Sequence, residues 1–454
     1  MKRGSNLIIA IIFGGLIVMS SGALISLLIV QQRTVRNNVA KEQALQVAEA
    51  GLNRYRWILA HDPEDFAGQD KDYVDADGDT IGHYTVTVTP PQIGSTVVTL
   101  TATGWTTAYP NVQRTLRARY GQGSYAEYAV LTDANIWFGE EEEVHGKLHS
   151  NGGIRMDGTV DSQTTSIQET YICGAEHGCD DEEKPGIWGD GGDTQYWDFP
   201  IADGVDFDAI TLDLETMHEV AEIDGILLGD SGEYGYHIVF NNTGTFTVYV
   251  VTKLKNSAYG SDGKSWRYFS YDIKQESVLA GYENVALPAS GIIFVEDDTW
   301  VSGQVAGRVT VAAAKLPEPG DETIDIMIPD NITYYPDRTS GSVLGLVAQH
   351  DVTISLEVPT DLTIDAALLA QTGQVYRVYF HPNSNKTHAV KNYIETYGTV
   401  ITHGIWTWSW VNASGNVTSG FQQTNSIHDP ALVYAPPPYF PTKDEYTFLS
   451  WEEL

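Results

Sequence analysis

Leu7 to Val30 reads LIIAIIFGGLIVMSSGALISLLIV, 24 residues without a charge. As a helix rising 1.5 Å per residue it covers about 36 Å, against about 30 Å for a bilayer's hydrocarbon core, so it predicts one transmembrane span over 7–30. A secretory signal has a shorter apolar run of about 7 to 15 residues and then a small-residue cleavage motif. Here the run passes directly into QQRTVRNN. Lys2 and Arg3 favour a cytoplasmic N-terminus, which places the rest of the chain outside. The helical pattern also continues: Val35, Val39, Leu45, Ala48, Leu52, Tyr55 and Leu59 recur at intervals of three and four, as on one face of a helix. A single helix over 5–60 would be about 80 Å long, and His61-Asp62-Pro63 would end it.

The chain has 454 residues, 60 of them Asp or Glu and 26 Lys or Arg. Its length predicts two to four folded units, and 42% hydrophobic content is too high for a disordered chain. A net charge of −34 excludes nucleic acid as a partner, because such binding needs cations that displace counterions. The charge is unevenly spread, with +5 over residues 1–60 and −39 over the remainder. That asymmetry suits a basic end held at an anionic membrane and an acidic body in water.

The leader Met1-Lys2-Arg3-Gly4, Ser5 as a mature first residue, the apolar helix and the stretch from Ala44 to Gly51, ALQVAEAG, together resemble a type IV pilin or pseudopilin, with minor pilins of the PilX type the nearest match. The resemblance implies cleavage by a prepilin peptidase between Gly4 and Ser5, and partnership with other pilin or pilus assembly subunits through the helix. It covers about the first 120 residues, since 84–88, 96–103 and 115–120 alternate like the small sheet of a pilin head. Major pilins carry a glutamate at the fifth mature position, where this chain has Ile9. The alternative is a plain membrane anchor with a stalk.

Beyond 121–124 the sequence changes to short apolar runs separated by Gly, Asn and Asp, which predicts a β-rich domain over 125–454 with a Pro-rich C-terminal segment, 430–454. A helix of three turns is predicted over 212–223. Apolar strands starting near Ile292, Val309, Leu344, Leu368 and Tyr393 recur loosely, which favours the stacked coils of a right-handed parallel β-helix over the alternative, a β-sandwich. The fold class is therefore α+β, mainly β: a long transmembrane helix, a small antiparallel pilin-like sheet over 61–121, and the β-rich domain. Stretches such as VHGKLHSNG (144–152), KPGIWG (184–189), IDAALLA (364–370) and PPPYFP (436–441) resemble a bacterial surface domain of unknown function that follows pilin-like N-termini. That likeness implies a surface location and offers no catalytic residues.

Asp75, Asp77 and Asp79 cluster carboxylates as a calcium loop does, but Gly78 falls fourth rather than sixth, and an Asp-Gly hairpin turn accounts for the same residues. Cys173 and Cys179 are the only cysteines and are expected to form a disulfide outside the cytoplasm. Glu140 to Glu143 read as a solvated acidic edge, and His145 and His149 sit among glycines that argue for strand and turn. Trp406, Trp408 and Trp410 alternate, so a strand would place all three on one face, either as an exposed platform for sugar rings or buried as core. No G-x-S-x-G, H-E-x-x-H or Walker motif is present, and these motifs carry the common hydrolase and phosphate chemistries. The reading is a non-enzymatic, single-pass, pilin-like membrane protein, without a cofactor apart from the calcium alternative, displaying its body for adhesion to a surface glycan or for filament assembly. The rivals are a membrane-tethered carbohydrate-active β-helix enzyme and a structural stalk.

Overall fold

The computed structural model describes residues 4–207, 213–317, 323–412 and 414–454, in two compact units. Unit 1 comprises residues 1–91, 97–122 and 444–454, and unit 2 comprises 92–96 and 123–443.

Helix α1 (Gly4–Leu59) is continuous over 56 residues, as the uninterrupted periodicity predicts. Its side chains are exposed from Leu7 to Val39, and the apolar part meets the length and composition of a membrane span. From Ala40 onward one face is buried: Ala44, Val47, Ala48, Leu52, Tyr55 and Leu59 pack on Tyr84, Val86, Val98, Leu100, Ala102 and Leu116. These come from an antiparallel sheet of β1 (Gln69–Val74), β2 (Thr80–Thr89), β3 (Val97–Thr106) and β4 (Tyr109–Ser124). In β3 the two-residue period puts Val98, Leu100 and Ala102 against the helix and the intervening threonines on the other face. Gly104 permits the closest approach, because a Cβ there would lie 2.4 Å from Ala48 N and 2.7 Å from Ala44 O.

A fifth strand, Thr442–Glu453, follows β4 in the same sheet. The expectation that 125–454 forms one domain is thus corrected: the chain leaves unit 1 after Gln122 and returns at 444, so the β-rich unit is an insertion in the smaller one. Tyr446 draws the strand back, packing with the unit 1 core and donating its hydroxyl to Pro63 O at 3.1 Å. Arg117 pairs with Glu452 at 3.0 Å, and Arg114 pairs with Glu453.

Unit 2 is built on parallel ladders. One runs through Ile226, Ile293, Val311, Leu346, Leu368, Val400, Val130, Leu148, Thr164 and Trp197, each hydrogen-bonded in register with the next. A second passes from Phe240 through Ile332, Ile364, Thr396 and Ser426 to Val144 and Val160. A third joins Ile326, Val352, Val375 and Trp406, and a shorter one joins Ile136, Ile154 and Ile187. Parallel pairing of this extent differs from the antiparallel sheets of a sandwich. The chain enters the first ladder at Val130, runs to Trp197, restarts at Ile226 on the far end and returns to Val400 beside its entry point. The earliest rungs therefore gain one neighbour only when the latest are made, a non-local arrangement of the kind that folds slowly.

The inward rungs form one core of Ile, Val and Leu. The outward side of the first ladder is covered too: Phe294, Ala312, Val347 and Leu369 lie under α2 (Asp213–Asp224) and under Leu432 and Phe440. Burial on both faces explains why Val343–Ala348 and the end of Asp361–Ala370 read as unbroken apolar runs rather than alternating ones. The helix expected over 212–223 matches α2, with Leu212 outside the described residues. At one corner the rungs change to hydroxyls. Thr132, Ser150 and Ser166 donate to Gly404 O, Ala134 O and Gly152 O at 2.9, 2.7 and 2.7 Å. Each also accepts an N–H two residues on, which turns the chain without leaving polar groups unpaired.

Candidate functional site

Gly4 opens α1, while Met1–Arg3 and the Ser5 side chain lie outside what the structure describes. Asp75 caps a turn between β1 and β2: its Oδ1 accepts the N–H of Asp77 at 3.0 Å and of Asp79 at 2.9 Å. One carboxylate oxygen of the suggested calcium loop is thus engaged by backbone. Cys173 and Cys179 are joined by a disulfide. Beside it the Arg155 guanidinium lies 4.5 Å from the Trp137 ring and 5.0 Å from the Trp188 ring, on neighbouring rungs, and donates to His177 O and Asp157.

An exposed platform of Trp406, Trp408 and Trp410 is overturned. Trp406 is 2% and Trp408 0% exposed, their rings packed edge to face at 6.0 Å in the core. Trp406 occupies a rung after Val375 and meets Phe138, so burial follows from its place in the ladder. The strand breaks at Trp408, and Trp410 turns away, donating its indole N–H to Arg377 O at 2.7 Å. The acidic edge is corrected in one position: Glu142 shares the inward face of its strand with Val144, where burial pushes its carboxyl up to about 8. His145 pairs with Asp161 at 2.7 Å, and His149 is buried against Thr165 at 2.8 Å.

An exposed aromatic surface does exist, on residues that period and spacing did not single out. The strands Ala258–Ser261 and Trp266–Phe269 pair antiparallel and are joined by a third, Tyr379–Phe380. Alternation turns Ala258 and Phe269 into a small core with Tyr376 and Val378 and leaves Tyr259, Trp266 and Tyr268 on the other face. Trp266 is 55% and Tyr268 69% exposed. Tyr259 stacks on Trp266, with centroids 5.4 Å apart and planes at 28°, and Tyr379 meets Trp266 edge-on at 5.4 Å. At the rim, Asp262 accepts the N–H groups of Lys264 and Ser265 at 2.8 and 2.6 Å. Burial alone would raise its pKa, and these bonds more than reverse that, holding the carboxyl below its ordinary value. The result is an exposed aromatic surface with a carboxylate at its rim, suited to stacking and hydrogen bonding.

A second cluster lies where the first ladder turns into the third. Asp298, Asp325 and Asp351 occupy equivalent positions just before three adjacent parallel strands, because Thr299 pairs with Ile326 and Ile326 with Val352. Each carboxylate accepts the N–H of the next corner: Asp325 N to Asp298 at 2.9 Å, Asp351 N to Asp325 at 3.0 Å and Gln374 N to Asp351 at 2.7 Å. His350 Nδ1 lies 2.9 Å from Asp325 Oδ1 and 3.5 Å from Asp351 Oδ2. Burial and the neighbouring charge of Asp325 raise Asp298 and Asp351. Burial alone would lower His350, but its hydrogen bond to Asp325 and the charges of Asp351 and Asp325 raise it. Among the described residues this is the one group of three His, Cys, Asp or Glu whose ligand atoms lie within 4.8 Å of one another.

No protein-family model and no curated protein matches the chain. Among solved structures, the chain is similar to the competence-associated pilin ComZ from Thermus thermophilus, at 13% identity and a TM-score of 0.31, over 91% of this chain and 98% of that one. A likeness at that TM-score establishes neither fold nor function.

Proposed function

We propose that this chain is a pilin-like, single-pass membrane subunit without enzymatic activity, whose acidic β-rich unit works outside the cytoplasm in adhesion or filament assembly. One observation carries the reading: α1 is apolar and exposed over Leu7–Val30 and, from Ala40 onward, is packed on an antiparallel sheet. A helix built so needs a second apolar environment for its first half, either lipid or the equivalent helices of neighbouring subunits. The parallel ladders support reading unit 2 as a right-handed β-helix, a shape that presents long lateral surfaces. The aromatic face of Tyr259, Trp266 and Tyr268 favours adhesion to a surface glycan, whose C–H faces stack on indole and phenol rings. Given the net charge of −34, a neutral glycan fits better than an acidic one.

Mass spectrometry of the native N-terminus tests the pilin reading. A chain beginning at methylated Ser5, and loss of that processing when Gly4 is replaced, are the expected results. An intact Met1 would reduce the proposal to a plain anchor.

A further inference from the structure

We propose that Asp325, His350 and Asp351 bind a divalent transition ion of Zn2+ or Mn2+ chemistry at the corner between the first and third ladders. Two carboxylates and an imidazole whose ligand atoms lie within 4.8 Å of one another supply the oxygen and nitrogen donors that such ions prefer. Asp298 stacks on the same corner, so three carboxylates gather beside one imidazole, an acidic surplus that a doubly charged ion offsets.

A further observation points the same way. Tyr376, the residue after Val375 in its strand, is 0% exposed, and its hydroxyl is directed at the Asp351 carboxylate without closing a hydrogen bond of ordinary geometry. A buried hydroxyl left poorly bonded is costly, and a water on the bound ion completes its bonding. The backbone also keeps the place clear: a Cβ at Gly373 would lie 2.2 Å from Asp351 Oδ1, so a side chain there would push into the carboxylate. His350 is the most exposed of the three, which leaves a route from solvent.

The test uses the full chain in detergent, stripped with a chelator and titrated with Zn2+ by calorimetry and with Mn2+ by electron paramagnetic resonance. One saturable equivalent is expected, with affinity reduced at least tenfold in His350→Ala and in Asp325→Asn. Because Asp325 also accepts a backbone N–H and its variant can misfold, His350→Ala is the deciding variant, its circular dichroism matching the parent. Tyr376→Phe should leave the stoichiometry at one while altering the Mn2+ spectrum. Absence of saturable binding, or binding by His350→Ala at parental affinity through other surface histidines, overturns the proposal.

Discussion

Arg338 grips Asp365: Nε and Nη2 both donate to Asp365 Oδ1, at 3.0 and 2.8 Å, while Nη2 also reaches Glu395 at 2.6 Å. Asp365 is almost wholly buried and sits in register with Tyr397, whose ring lies 4.5 Å under the guanidinium. Removing one partner of a buried pair strands the other. Arg338→Ala should therefore destabilise unit 2 by about 3 kcal/mol; Arg338→Lys keeps the charge and should cost less, but not nothing, since an ammonium cannot reproduce the fork or the stacking. Urea denaturation of the three proteins checks the order, and parental stability in Arg338→Ala would refute it.

Gly104 should tolerate no side chain. Its missing Cβ is the space that Ala44 and Ala48 of α1 fill, so Gly104→Val must push the helix off the sheet or break the register of β3. The expected loss is several kcal/mol, in the range of severe overpacking. Hydrogen exchange of the β3 amides reports it, and unchanged protection would mean that the helix does not pack as described.

Glu142 makes a pH prediction. Its carboxyl is pushed up to about 8 by burial, whereas an unfolded glutamate titrates near 4.3. The folded state therefore holds the proton more tightly, and the stability this contributes is complete below about pH 4 and lost as pH rises through about 8. Glu142→Gln, which keeps an acceptor for Gly139 N, should match the parent near pH 4. Near pH 7 it should exceed it by on the order of 3 kcal/mol. Denaturation midpoints across this range decide it, and a difference independent of pH would contradict the buried placement.

Trp266 and Leu368 should behave oppositely. Trp266→Ala removes an exposed ring and should shift stability by less than about 1 kcal/mol while abolishing retention on neutral glycan arrays. Leu368→Ala empties a rung between Leu346 and Val400 and should cost about 2–5 kcal/mol. Glycan retention by Trp266→Ala equal to the parent's would remove the adhesive face from the account.

Much of this was legible in the sequence, for reasons that also explain what was not. α1 could be read because one period runs unbroken from the apolar stretch to Leu59. The loose spacing of the body strands reflects real corners of unequal length, with Val311 followed by Leu346 and then by Leu368 as successive rungs. The return of Thr442–Glu453 to the first sheet was hidden, because a strand does not carry its partner in its own residues. Alternation at Trp406 and Trp408 is identical for an inward and an outward face, so only the rung at Val375 settled it. Glu142 was masked by three acidic neighbours. Asp298, Asp325 and Asp351 meet only through the parallel pairing of their strands, and the dipeptide His350-Asp351 was the one local hint.

The described residues hold no free cysteine, so single cysteines placed in the intact protein report topology directly. Met19→Cys lies in the exposed apolar half of α1 and Lys274→Cys on an exposed strand of unit 2. With a membrane-impermeant maleimide on whole cells, the account predicts rapid labelling at 274 and none at 19 until detergent is added. Labelling at 19 without detergent, or none at 274 until the cells are broken, would contradict a membrane-held helix carrying the β-rich unit outside.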